Sequence, residues 1–147
     1  SPQREPLVDD CSSPNLDLIV IFDNTDRLPR RRHSAVNANR YLLLDVLGSL
    51  KVDTNVRVSV ISFENSSPKV TIEFTAISNR DAIFSRLENI KVVRKKPSYS
   101  DAVIVALEYL DSEGIADAHA GLVILGNGKS GDSRDAQIAA GARIREV

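Results

Sequence analysis

Apolar positions in this chain fall into short runs divided by polar turns, and the period of the runs changes along the sequence. Leu16-Asp17-Leu18-Ile19-Val20-Ile21-Phe22 is nearly continuous in apolar, β-branched and aromatic residues. Such a run suits a central strand covered on both faces, as in parallel sheets. It stops at Asp23-Asn24-Thr25-Asp26, four turn formers. From Ser34 to Leu50, Ala38, Leu42, Val46 and Leu50 recur at steps of four, with Tyr41 and Leu43 nearby. That spacing predicts a long helix, and Ser34 is placed to cap it. Alternation returns at Val56, Val58 and Val60 before Ile61 and Phe63, which predicts a strand over 56–63. The polar turn 64–68 then leads to Val70-Thr71-Ile72-Glu73-Phe74, a hairpin partner.

Asn79 opens a short helix through Leu87, and a basic loop, Arg94-Lys95-Lys96-Pro97, separates it from a helix over 100–110 capped by Ser100 or Asp101. Leu122 to Leu125 reads as another buried strand, and 134–145 as a last helix capped by Asp132 or Ser133. Strands alternating with helices in this order predict a doubly wound, mainly parallel α/β sheet with one antiparallel edge strand, a Rossmann-like three-layer fold. Residues 1–15 are polar and proline-punctuated and read as a linker. Ligands of such folds sit beyond the carboxyl ends of the strands. Three loops are thereby expected at one end of the sheet: 23–33, 94–100 and 126–133.

Glycines 126, 128 and 131 match the spacing of a dinucleotide loop. The match fails in context: the helix caps follow the third glycine, and no acidic residue closes a following strand. The phosphate-loop pattern fails as well, because its first glycine would fall on Val123. A nucleotide-binding α/β enzyme is therefore the weakest of the readings. Catalysis has no better support, since no G-x-S-x-G elbow exists, His33 stands in an arginine run and His119 lies at the far end of its strand from the loops. No residue is assigned a catalytic role.

DLIVIFDNTDR, RVSVISFENSSPKVTIEF, KKPSYSDAVIVAL and LVILGNGKSGD, in that order, resemble the von Willebrand factor A-type domain family, the integrin I-like domains. The resemblance runs from Leu16 to Val147 and implies a further strand and helix, so the domain at 16–147 is expected to be C-terminally incomplete. It also implies a metal-ion-dependent adhesion site, in which Asp-x-Ser-x-Ser, a later Thr and a second Asp hold a divalent cation that a ligand carboxylate completes. By position Asp23 keeps the first Asp, Thr25 keeps a hydroxyl for the first Ser, and Ser98 keeps one for the Thr. Arg27 replaces the second Ser, and Asn127 replaces the second Asp. Arg27 adds a positive charge and Asn127 removes a negative one, where Mg²⁺ needs carboxylates. At an effective dielectric of about 20, unit charges about 4 Å apart interact by about 4 kcal/mol, and a divalent ion doubles this. The expectation is a degenerate, metal-free site with the Arg27 guanidinium paired to Asp23; weak Mg²⁺ binding through Asp23, Thr25 and Ser98 is the alternative.

Composition then narrows the partners. The net charge of −1 over 147 residues argues against a globally basic nucleic-acid binder. Charge is nevertheless local, because Arg30, Arg31, Arg32, Arg94, Lys95, Lys96 and Lys129 all fall in the three loops at one end of the sheet. Such a patch steers acidic partners, either an acidic protein or a sulfated polysaccharide. Tyr99 is the lone aromatic near it, too little for a nucleic-acid stacking platform. No apolar run reaches the about 20 residues needed to span a bilayer. Cys11, the single cysteine, is a candidate for a disulfide to a partner outside 1–147, which the family resemblance supports, and Asn65-Ser66-Ser67 is a glycosylation sequon. The two signals together point to a secreted protein or a cell-surface ectodomain, and to a non-catalytic recognition or adhesion module within it.

Overall fold

The run Leu16–Phe22 forms strand β1 and sits inside the sheet, as its two-sided apolar character requires. The structure is a computed structural model that describes residues 15–26, 34–65 and 67–126. After β1 come helix α1 (Ser34–Ser49), strands β2 (Val56–Glu64) and β3 (Ser67–Ala76), and a 3₁₀ turn at Ile77–Asn79. Helices α2 (Arg80–Glu88) and α3 (Tyr99–Glu113) and strand β4 (His119–Leu125) complete the described order. The sheet order is β3-β2-β1-β4, with β1 parallel to both β2 and β4, and β3 antiparallel at the edge. This is the three-layer, mainly parallel α/β fold that the alternation of elements predicts. The expected last helix and its caps Asp132 and Ser133 lie outside the described residues, as do residues 1–14 of the linker and the side chain of Ser34.

Two cores lie on either side of the sheet, and β1 feeds both by strict alternation. Val20 and Phe22 join Val58, Val60 and Ile72 beneath Val36, Leu43 and Leu47 of α1 and Ile83 and Leu87 of α2. On the other face Ile19 and Ile21 join Ile61 and Phe63 against Ala102, Val103 and Ala106 of α3. The buried stripe of α1 differs from the one that its steps of four suggest. Leu42 and Val46 are 49% and 46% exposed, whereas Leu43 and Leu47 are buried. A helix turns 100° per residue, so repeated steps of four drift around it, while the mixed spacing of Val36, Leu43 and Leu47 stays on one side.

The edge strand β3 slips its register against β2 twice, between Val58 and Val60 and between Val60 and Ile61. Side chains from both helical layers take up backbone groups there. Arg86 of α2 donates to the carbonyl of Thr71 at 2.6 Å, and the Tyr109 hydroxyl of α3 accepts from the N–H of Phe74 at 2.9 Å. Bulges and covered polar groups blunt an edge against pairing with another chain. Among the described residues no helix is long and apolar enough to cross a membrane.

Candidate functional site

Where β1 ends, its ladder continues for one more bond: the N–H of Asp23 donates to the carbonyl of Leu125 at 2.9 Å. Asp23, Asn24 and Thr25 are all buried, although each is polar. Buried polar groups need partners, and each of these has them. Asn24 ties three segments together. Its Nδ2 donates to the carbonyls of Phe63 at 2.9 Å and Lys91 at 2.7 Å, and its Oδ1 accepts from the N–H of Phe63 at 2.8 Å. Thr25 then pairs with Val93 in a short parallel bridge. The loop before α3 is thus fastened to the carboxyl end of the sheet.

The carboxylate of Asp23 is bonded at both oxygens. Its Oδ1 accepts from the Thr25 backbone N–H at 2.9 Å and from the Thr25 hydroxyl at 2.5 Å. Its Oδ2 accepts from the Tyr99 hydroxyl at 2.5 Å, a contact across 76 residues of sequence. Gly126 makes room for that phenol, because a Cβ there would lie 2.2 Å from the Tyr99 oxygen and 3.5 Å from Asp23 Oδ2.

Ser98 serves α3 as its N-cap, its side chain accepting from the N–H of Asp101 at 3.2 Å. This corrects the expected caps Ser100 and Asp101: the helix begins earlier, at Tyr99, and Asp101 supplies the first-turn N–H rather than the cap. Ser98→Ala is expected to cost about 1 kcal/mol of stability, measured by urea unfolding, as loss of an N-cap does. The same substitution to Thr is expected to cost far less.

Of the five positions expected to form a degenerate metal site, Asp23 and Thr25 come together and Ser98 stands next to Tyr99 in the chain. Arg27 and Asn127 lie outside the described residues, so the expected Arg27–Asp23 pair does too. Of the expected set, the described residues offer a divalent ion one carboxylate and two hydroxyls. Mg²⁺ takes near-octahedral oxygen ligands and leans on carboxylates. Asp23, the one carboxylate of that set, accepts three hydrogen bonds, one of them from the Thr25 hydroxyl. Among the described residues no three His, Cys, Asp or Glu side chains gather to hold a metal.

The basic loop Arg94, Lys95 and Lys96 is exposed and follows Val93 directly, beside this site. Arg30, Arg31, Arg32 and Lys129, the rest of the expected patch, lie outside the described residues, as does Cys11. Asn65 is exposed at the turn between β2 and β3, with a positive φ of 53°. His119 opens β4 at its amino end, away from Asp23. Sequence reasoning missed Tyr99 as a site residue and Asn24 as its organiser. The signal that marks Tyr99 is a pairing: an aromatic beside the Thr-equivalent position, and a glycine rather than a larger residue at the end of β4.

A family model described as von Willebrand factor type A domain matches residues 18–129. Among curated proteins none matches this sequence. Solved structures share the fold at low identity. The VWA domain of SpRpn10 aligns with a TM-score of 0.68 at 13% identity, covering 90% of this chain and 70% of that one. Proximal thread matrix protein 1 from the mussel byssus aligns with a TM-score of 0.70 at 12% identity, covering 91% of this chain and 36% of that one. The three N-terminal domains of the type V pili tip protein Mfa5 from Porphyromonas gingivalis give 0.56 at 12% identity, covering 75% and 19%.

Proposed function

The chain belongs to the von Willebrand factor type A domain family, and on that footing we propose that it is a non-catalytic protein-recognition module that works without a resident metal ion. Domains of this family are typically protein-interaction modules. The observation that carries the metal-independent reading is that the Asp23 carboxylate is hydrogen-bonded at both oxygens, by Thr25 on one and by Tyr99 on the other. A cation binding at Oδ2 must displace the phenol, and it finds no second carboxylate among Thr25, Arg27, Ser98 and Asn127 in return. Breaking charge-assisted hydrogen bonds costs about 1.5–3 kcal/mol each. Weak hydroxyl ligands do not recover that.

We place the recognition surface at the carboxyl end of the sheet, where the exposed cations Arg94, Lys95 and Lys96 favour an acidic protein partner over nucleic acid. Arg30, Arg31, Arg32 and Lys129 belong to the same proposed patch by their place in sequence. A sulfated polysaccharide is the second partner class that such cations suit. An extracellular setting is supported by Cys11 as a candidate disulfide half and by the exposed sequon residue Asn65, and the domain is taken as 16–147 with 1–15 as its linker. Isothermal titration with Mg²⁺ and Mn²⁺ tests the central point. The expected result is no heat of binding and an unchanged melting temperature, because an ion that bound only the native chain would raise it. Clear micromolar binding would return the chain to the metal-dependent adhesion class, with a ligand carboxylate completing the shell.

A further inference from the structure

Beside Asp23 the carboxyl end of the sheet holds a groove of about 640 Å³ between the β2–β3 turn and the segment that precedes Val93. It shares Asn24 with the site already described, yet its walls are different. Arg86 and Lys91 line it and are exposed, while Lys95 and Lys96, exposed and a few residues further along the chain, do not line it. Glu64, on the opposite rim, has its carboxylate 2.7 Å from Lys69. The positive charge of Arg86 and Lys91 therefore faces little opposing charge from that rim. Between these polar walls Ile90 and Val93 present half-buried apolar surface.

The groove is also built to keep its shape. The Asn24 amide holds Phe63 and Lys91 at fixed separation, and Arg86 is anchored to the Thr71 carbonyl at 2.6 Å. Preformed polar walls lower the ordering cost of an incoming chain. Apolar surface flanked by cations asks for a ligand with both characters, which an acidic peptide with interspersed apolar side chains has and a sulfated polysaccharide lacks. We propose that this groove docks an extended acidic segment of a partner protein, its apolar side chains against Ile90 and Val93 and its carboxylates facing Arg86 and Lys91. The inference rests on the protein-recognition reading above and assigns that reading a place and a ligand chemistry.

The test uses a fluorescein-labelled peptide of alternating glutamate pairs and single leucines, with a heparin fragment as the competing class. Both are titrated by anisotropy against chain lacking any glycan at Asn65, in EDTA, from about 50 mM to about 200 mM salt. The peptide is expected to bind, more weakly at the higher salt, and Lys91→Glu is expected to lower its affinity about ten-fold. That variant leaves the Arg86 anchor untouched. Arg86→Ser with Lys91→Ser should lose at least as much, while Lys95→Ser with Lys96→Ser should lose only about two-fold. Peptide affinity unchanged in Lys91→Glu, with the loss moved to the Lys95/Lys96 variant, overturns the groove and leaves the recognition reading standing. Wild-type chain that binds heparin and ignores the peptide overturns the groove in favour of the polysaccharide. Peptide binding that requires Mg²⁺ overturns the metal-independent reading instead, and the Lys91→Glu ratio in Mg²⁺ buffer still decides the groove.

Discussion

Arg57→Ala is expected to lower the free energy of unfolding by about 3 kcal/mol at neutral pH, since it leaves a buried carboxylate without its counter-ion. Asp17 is the one polar residue in the β1 run, and the parallel register sets Arg57 directly opposite it. The guanidinium grips it at both oxygens, Nε to Oδ1 at 2.8 Å and Nη2 to Oδ2 at 2.9 Å, and the N–H of Ile115 adds a third bond at 2.8 Å. Arg57 also donates to the Glu113 carbonyl and lies 4.5 Å over the Phe74 ring, which stacks on Tyr109. Removing it therefore strips one charge partner and one cation–π contact together.

The pH dependence follows from the same geometry. Burial alone pushes the Asp17 carboxyl up, but the Arg57 hydrogen bonds, the Ile115 amide and the Arg57 charge outweigh it and hold the group below its ordinary value. A depressed carboxyl stabilises the fold above the unfolded pKa of about 3.9 and loses that contribution as pH falls through the folded value. Without Arg57 only the Ile115 amide is left to oppose burial, the largest single contribution, and the sign reverses. The penalty should thus shrink from pH 7 towards pH 3, as read from urea midpoints across that range. A penalty that stays constant with pH would mean that the guanidinium acts by packing alone. Asp17 stands six residues before Asp23, about 20 Å away along an extended strand, so peptide affinity of the folded variant should not change.

The parts of this fold that the sequence reveals are those set by local pattern. The run Leu16–Phe22 announces a central strand because both of its faces must be covered, and Asp23 marks its end because turn formers follow. Asp23 and Thr25 are legible as neighbours for the same reason, being two residues apart on one short stretch. The face of α1 was not legible, since apolar residues lie almost all round that helix and only packing against β1 and β2 selects Leu43 and Leu47 over Leu42 and Val46. Tyr99 was hidden for a different reason. Its partner lies 76 residues away, and nothing in the local pattern of 94–101 distinguishes a tyrosine that turns inward from one that lies on the surface. By residue type Asn24 is a turn former, yet its side chain does the work of a backbone clamp between β1, β2 and the 91–93 segment. Long-range polar bonds leave little trace in periodicity, and the candidate site is made of them.

Gly126→Ala is expected to drive the Tyr99 phenol off Asp23 and to cost about 2 kcal/mol, the worth of a hydrogen bond to a charged group. The added Cβ would lie 2.2 Å from the phenol oxygen and 2.9 Å from Cζ, well inside contact distance. The atoms met are the tip of a side chain, so the ring yields and the backbone of β4 does not need to. What is lost is the bond from Tyr99 to Asp23 Oδ2, while both bonds from Thr25 to Oδ1 survive. The loss is shared between two positions, which makes the argument testable by a thermodynamic cycle. Tyr99→Ser alone removes the same bond and the obstructing ring, so adding Gly126→Ala to it should cost only a few tenths of a kcal/mol. Strict additivity of the two substitutions would show that Gly126 is required for the path of its own backbone and not for the phenol, and the reading of Tyr99 as the group seated on Asp23 would lose its main support. Restoring a hydroxyl without bulk gives the last discrimination. If the phenol is what keeps cations from Asp23, Tyr99→Ser should acquire a Mn²⁺-dependent rise in melting temperature that the wild-type chain lacks; if the variant stays indifferent to Mn²⁺, the exclusion lies in the sequence at Arg27 and Asn127 instead.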